Sequence, residues 1–526
     1  MKKISFLYLL TAGILAGTAL APANVNAVNN YSYNESGYYD EYGNYIEPVV
    51  YDETAKDTSW FDYEHPKKVY KIGTEGELIG FASLVNEQQT DRWKPSYFET
   101  FEGVTIELTD DIELTKPWKP IGPDKDVCFK GIFDGKGHSI SGIKVDTNAA
   151  TVGLFGYLDG TVKNLNLSGA VFSGNKECGA VCGILTENGR ISNIISNVAV
   201  SGKTKTGGIC GFNANGVITN CVNYADVVGT TKVGGVVGEN WGKIKKSGNR
   251  GTVYSTMSGA LTFGTGGVAG RSVSSSSMIL SCYNTGNVVS TTTGTGGVVG
   301  YTNGSGAKIY CSYNTGDVTV KKDKHIVSSS SDNYSGGVVG VAGTYGVSVK
   351  RCYNAGEIST KHSTSGGIIG LYDNDAAPGR DENISGNYYL NSGLRGLGSD
   401  GSGVSRDLND GTTAISSGTL INSAAALGSQ YVNDLGGTKG SKGYPVLSWQ
   451  EDIEDYVKPF VKSVPVDVQK KLNKLAAKDN DKKFGEPILM FFDYNIFTSH
   501  VLAYYNDHKM SPEKLEKYKE KKLNNK

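Results

Sequence analysis

Six histidines, eight cysteines and a few recurring acids are the residues of this 526-residue chain that could do chemistry. The histidines, His65, His138, His325, His362, His500 and His508, are scattered, with no HExxH spacing to set two of them around a zinc ion. His138 sits in the turn FDGKGH and reads as a turn residue rather than a base. Neither a G-x-S-x-G nucleophile elbow nor a phosphate-binding loop occurs. Polysaccharide lyases and hydrolases need acids, or acids with bases, clustered on one face. The acids that align here, Asp226, Asp317 and Glu357, are interrupted by Thr252 and Asn287, which reads as a solvated strand end. Asp373, Asp375, Asp381 and Glu382 offer oxygens to calcium, but no EF-hand or RTX pattern frames them. The sequence therefore assigns no catalytic residue, no metal site and no cofactor.

The cysteines trade places with apolar or small residues. Cys221, Cys282 and Cys352 share a column with Leu165, Ile194, Ser247 and Ser312, and Cys182 and Cys210 share one with Phe155, Val237 and Val299. That substitution pattern marks buried filler rather than a disulfide framework. Cys282 and Cys352 fall two repeats apart, too far to bridge at roughly 4.8 Å per strand. Cys182 and Cys210 fall on adjacent repeats and remain open as a pair. No CxxC spacing suits zinc.

What positions these residues is a repeat. Two apolar residues flanked by glycines return as TVGLFG (151–156), CGAVCG, TGGICG, VGGVVG, TGGVAG, TGGVVG (295–300), SGGVVG and SGGIIG (365–370). Each is followed by a second segment, as in KIYCSYNTGDV or VKRCYNAGEI. Asn223, Asn249, Asn284, Asn314 and Asn354 fall in one column of it, with Ala225, Gly251, Gly286, Gly316 and Gly356 two residues on. Stacked asparagines can bond amide to amide, so this column predicts a structural ladder. Successive leading glycines lie 27 to 40 residues apart. A unit of that size is too small to bury a core alone, but stacked units share one. The fold class predicted is all-β, a parallel β-helix or β-solenoid of about eight rungs. The longer steps place insertions at Tyr254–Gly264 and Thr319–Tyr334. The second supplies candidate binding residues Lys321, Lys322, Lys324, His325 and Tyr334.

Around the repeats the texture changes. Lys2 and Lys3, the apolar run Ile4–Leu20 and Val25-Asn26-Ala27 read as a secretory signal peptide (1–27) cleaved after Ala27. Residues 28–66 are rich in tyrosine and poor in aliphatic residues, a disordered leader. In 67–150, Thr74 and Glu77 match a capping box, and Leu78, Phe81, Ala82 and Val85 mark one helical face that could cover the open end of a strand stack. Repeats occupy 151–390 and a C-terminal cap 391–450. A Lys-rich α-helical module occupies 451–526, with Pro512 at a helix start. Opposite charges balance to a net −1, so no global field points to nucleic acid. No apolar run after the leader has membrane-spanning length, so no transmembrane segment is expected in the mature chain.

The repeats TGGVVG...IYCSYNTGDV and SGGVVG...VKRCYNAGEI resemble the GLUG motif of bacterial secreted and surface proteins. The lead-in DDIEL...WKPIG...FKGIFDGKGHSISGI and the closing GYPVLSWQ resemble the flanks of such repeats, so the likeness runs from about Val69 to Gln450. It departs at Arg250, where YNTG becomes GNRG, and at the insertion before Gly336; residues 451–526 lie outside it. The resemblance implies a parallel β-solenoid with an extracellular, adhesin-like or matrix-associated role, and carries no catalytic residues over. The expectation is thus a secreted or cell-surface binding protein, not an enzyme, whose partner is a glycan, matrix protein or cell-surface protein. The alternatives are a carbohydrate-active enzyme on the same scaffold and a structural surface-layer component.

Overall fold

The two apolar residues between glycines straddle a corner between two strands, as Val298 and Val299 do between Gly294–Gly296 and Val299–Thr302, and strands this short are each stabilised by their copies in the next repeat. The computed structural model describes residues 38–39, 45–46 and most of 55–450. The longest undescribed stretches inside that range are 88–99, 256–263, 322–332, 373–382 and 400–408. The signal-peptide cleavage site, most of the tyrosine-rich leader, the acids Asp373, Asp375, Asp381 and Glu382, and the 451–526 module lie outside the described residues.

One coil shows the plan. Its five strands are Gly294–Gly296, Val299–Thr302, Lys308–Tyr310, Tyr313–Asn314 and Val318–Val320. Each pairs in parallel with the same position in the coils on either side: Val299 lies between Ala269 and Val339, and Ile309 between Ile279 and Val349. The first strands form an eight-stranded sheet and the second a nine-stranded one. The other three positions join in one sheet because early coils run through them as single strands, Thr161–Ser173 and Arg190–Ser201. The result is a mostly β parallel solenoid of about nine turns with few helices. It runs past the repeats at both ends. Leu397–Ser399 stacks on the preceding coil, with Leu397 paired to Ile369 and equally buried. Val69–Ile72, Thr105–Leu108 and Ile132–Asp134 stack below the first repeat.

The helix Glu75–Asn86 begins with both halves of the capping box, the Thr74 hydroxyl accepting from the Glu77 N–H and the Glu77 carboxylate accepting from the Thr74 N–H. Leu78, Phe81, Ala82 and Val85 are buried. The Phe81 ring lies 5.3 Å from both Phe101 and Phe129 and 5.8 Å from Phe133, so the helix face closes the apolar end of the stack.

Inside the coils, the asparagine column forms a continuous chain of hydrogen bonds. Nδ2 of Asn223, Asn249, Asn284 and Asn314 each donates at 2.8 Å to Oδ1 of the next, ending at Asn354. Each Nδ2 also donates to the carbonyl two residues on, at 2.6 to 3.0 Å, so both N–H bonds of the amide are used. The ladder lies against a glycine column. A Cβ at Gly235, Gly267, Gly297 or Gly337 would sit 2.2 to 2.3 Å from the Cγ of the facing asparagine. The second glycine of each GG pair is therefore a close-approach position. Replacing Asn284 by Ala removes an acceptor from Asn249 and a donor from Asn314 inside a dry core. We expect a loss of about 3 kcal/mol in urea denaturation. A loss under about 0.5 kcal/mol would mean that the amides are not energetically coupled.

Candidate binding groove

Residues 416–450 do not cover the end of the stack; they run along its side. Above the glycine at Gly248, where a Cβ would strike the Tyr283 ring, Tyr283, Tyr313 and Tyr353 form a stacked column with ring centroids 5.6 and 4.9 Å apart. Leu420, Ala424, Leu427, Tyr431, Val446 and Leu447 bury that column. A two-strand antiparallel ladder joins Tyr431–Val432 to Val446–Leu447. The tyrosine hydroxyls find acceptors in the strap: Tyr353 donates to the Pro445 carbonyl and Tyr313 to Gln450 Oε1 at 2.8 Å. The strap reaches back in turn, Trp449 Nε1 donating to the Ser281 carbonyl at 3.0 Å and Tyr431 to that of Arg351 at 2.9 Å. Burial pushes the Tyr283, Tyr313 and Tyr353 phenols up, so all three stay protonated, Tyr313 and Tyr353 as donors to the strap.

Arg250 is where the repeat motif breaks, and the structure supplies the reason. Its Nε donates to the Tyr283 hydroxyl at 3.1 Å and its Nη1 to the Lys439 carbonyl at 3.0 Å, tying solenoid to strap. The guanidinium lies 5.5 Å from the Tyr224 ring centroid and 5.2 Å from that of Tyr283.

A second asparagine column escaped the sequence reading. Asn164, Asn193 and Asn220 adopt left-handed backbone, φ 54, 54 and 55°, and continue as Lys246, Ser281, Cys311 and Arg351 with φ of 43 to 54°. Asn193 Nδ2 donates to Asn164 Oδ1, and Asn220 Nδ2 to Asn193 Oδ1, each at 2.8 Å. This ladder faces outward, with Asn193 and Asn220 exposed. The signal was present: an asparagine directly precedes the core residue of the second segment, and asparagine tolerates left-handed backbone.

These parts meet at a groove of about 260 Å³. Asn164, Asn193 and Asn220 line it with amides, Ile195 and Val222 with aliphatic surface, and Tyr224, Arg250 and Trp449 with aromatic rings and a cation. Amides, apolar patches and rings on one concave surface suit a ligand with hydroxyls on its edges and C–H groups on its faces.

The described residues of the 319–334 insertion lie outside the groove lining. The Lys321 ammonium lies 5.9 Å from the Tyr254 ring centroid. Tyr334, in the strand Asn333–Gly336, rests on the cluster of Tyr301, Val341 and Leu371. Lys322, Lys324 and His325 lie outside the described residues. A further cluster is internally neutralised. The buried Glu239 carboxylate meets Lys232 at 2.9 Å, Arg271 at 3.0 Å and Lys205 at 3.9 Å, and Lys205 also meets Glu177 at 3.0 Å. Burial works to raise the Glu239 carboxyl, yet these cations together hold it below the usual range.

The interrupted acid column caps strand ends. Asp226 Oδ1 accepts from the Thr252 N–H at 2.7 Å, Asn287 Oδ1 from Asp317 at 3.1 Å, and Asp317 Oδ1 from Glu357 at 3.0 Å. In the cysteine column, cysteine and serine alternate: the Cys221 and Cys282 N–H groups donate to the hydroxyls of Ser247 and Ser312. Burial pushes the Cys221 and Cys282 thiols up to about 12, leaving them inert at neutral pH. Cys182 and Cys210 are paired in register, their sulfurs 3.6 Å apart, both as free thiols. His138 sits in its turn with Nδ1 3.5 Å from Asp111. No group of three or more histidine, cysteine or acidic side chains able to hold a metal occurs among the described residues, and none of their helices is long and apolar enough to cross a membrane.

Comparison with known proteins is sparse. No protein-family model matches the chain. A stretch of 91 residues, 17% of the chain, is 41% identical to halomucin of Haloquadratum walsbyi, and the match spans about 1% of that protein's length. Among solved structures, a Bacteroides ovatus protein provisionally called an immunoglobulin A1 protease is 21% identical over 77% of this chain and 98% of its own, with a TM-score of 0.41. That likeness is too weak to bear on fold or function.

Asp226, outside the groove lining, gives the fold a pH signature. Burial raises its carboxyl from 3.8 to about 6, against the pull of the Thr252 hydrogen bonds. A raised carboxyl binds its proton more tightly folded than unfolded, so stability falls as pH rises between these two values and stays reduced above them. Asp226→Asn keeps the acceptor for Thr252 without the charge. Its melting temperature should exceed the parent's at pH 7.5 and lose that advantage at pH 4. An equal difference at both pH values would mean that Asp226 titrates normally.

Proposed function

We propose that this chain is a secreted or cell-surface binding protein whose solenoid presents its side to a glycan, and that the groove between the outward asparagine ladder and the strap is where it binds. The observation that carries the reading is the groove's lining. Hydrogen-bonded amides at Asn164, Asn193 and Asn220 are held in a fixed row by left-handed backbone, beside the aliphatic Ile195 and Val222 and the anchored Trp449. A row fixed in advance loses little conformational entropy when it binds, which suits a hydroxyl-rich chain better than flexible lysines would.

The exterior location is supported by the basic and apolar leader at Lys2–Leu20 and by the likeness to a segment of halomucin. The fit of the GG and asparagine columns to one interaction supports reading the repeats as GLUG-type. The insertion residues Lys321, Lys322, Lys324 and His325 are proposed as a secondary contact surface, with the 28–66 leader and the 451–526 module as accessory segments. Against the carbohydrate-active-enzyme alternative, none of the residues lining the groove is a carboxylate, where glycoside cleavage uses a pair.

A glycan and matrix-protein array probed with the full mature protein tests the proposal. Retention on a glycan subset, lost in an Asn193→Gly/Asn220→Gly double variant whose glycines keep the left-handed backbone, is the expected result, with melting followed alongside. Retention on matrix proteins alone, unaffected by that variant, would overturn it. Sugar release from a polysaccharide panel would move the protein into the enzyme class.

A further inference from the structure

The groove is built around a cation, Arg250, that no acid among the described residues neutralises. Arg250 is partly buried between the Tyr224 and Tyr283 rings, its described partners are a tyrosine hydroxyl and a backbone carbonyl, and it forms no ion pair among the described residues. The contrast within the molecule is plain. Another partly buried cluster surrounds Glu239 with Lys232, Arg271 and Lys205. Removing a guanidinium from water without a counter-charge is unfavourable, and a ligand that supplies the charge recovers that loss. Beside it, Asn220 Oδ1 accepts no hydrogen bond among the described residues, which leaves an acceptor for a hydroxyl.

Resting on the glycan reading above, we propose that the groove selects a sugar bearing a carboxylate, of the uronate or sialate class. Arg250 pairs with the carboxylate, the Asn193 and Asn220 amides bond the ring hydroxyls, and the C–H face of the sugar lies on the apolar and aromatic lining. Arginine suits the first task because its fork can meet both carboxylate oxygens, which lysine cannot do. A volume of about 260 Å³ is small for a drug-sized ligand and fits one or two sugar residues of a longer chain.

The test uses calorimetry on the full mature protein with an oligogalacturonate, the same oligosaccharide with its carboxyls reduced to alcohols, and sialyllactose against lactose. At least one acidic probe should bind about tenfold or more tightly than its neutral counterpart, with an advantage that shrinks as salt is raised. Asn220→Asp places a negative charge in the groove without touching the strap. Because it also removes the amide donor to Asn193, it should weaken both probes, the acidic one by about tenfold or more beyond the neutral one. Arg250→Gln should abolish the preference for acid, and Arg250→Lys should restore it in part. Equal affinity for the acidic and neutral members of both pairs, or indifference of the acidic probe to Asn220→Asp, overturns the charge selection and leaves glycan binding standing. Failure of all four probes, with the array also blank for glycans, overturns both.

Discussion

The structure depends on one repeated contact, an asparagine amide laid flat against a glycine. The ladder from Asn223 to Asn354 needs consecutive coils at hydrogen-bond spacing, and the 2.8 Å links show that spacing held over five coils. It also needs space, which Gly235, Gly267, Gly297 and Gly337 provide by having no Cβ. The turn glycines follow from the same crowding: a Cβ at Gly286 or Gly316 would sit 1.9 Å from the carbonyl oxygen of the preceding turn. From Asn223 to Asn314 every side-chain amide hydrogen is satisfied, so these four rungs sit in the core without an unpaired amide donor. The apolar pairs at the corner leading into the second sheet then fill the remaining interior, and their identity is free to vary among Val, Ile, Ala, Leu, Phe and Cys.

That freedom explains which parts of the fold could be read in advance. The ladder and the Gly-Gly pairs are legible because the same side chain must recur in each coil. The N-terminal helix is legible because Thr74 and Glu77 act within three residues of each other. The outward column is less so: Asn164, Asn193 and Asn220 give way to Lys246, Ser281, Cys311 and Arg351, because the feature held constant there is a backbone angle. The strap could not be read at all. Arg250 meets Lys439 across 189 positions of sequence, and no local period encodes such a contact. Leu420, Leu427 and Leu447 read locally as a short helix and a strand, which is how an end cap would look.

The strap also accounts for the irregular coil. At Gly248 the tyrosine column stops, and the Tyr283 ring occupies the space a side chain would have filled. One residue past the ladder asparagine, where other coils carry Tyr224, Thr285, Thr315 or Ala355, this coil carries Arg250. The two substitutions belong together. Without a ring at 248, the guanidinium can lie beside Tyr283 and reach the Lys439 carbonyl.

A solenoid built this way has uniform sides, and uniform sides recognise nothing in particular. Selectivity requires a place where the translation symmetry is broken by something rigid. The groove proposed as the binding site has that form: three amides in register on one side, the anchored Trp449 and Gln450 of the strap on the other, and a cation between two rings. The insertions break the repeat too, and of the second one Lys321 lies against Tyr254 and Tyr334 against the Tyr301 cluster, away from the groove lining. Preorganisation favours the groove, because its amides are fixed by one another and its rings by the strap, and a ligand has little left to order.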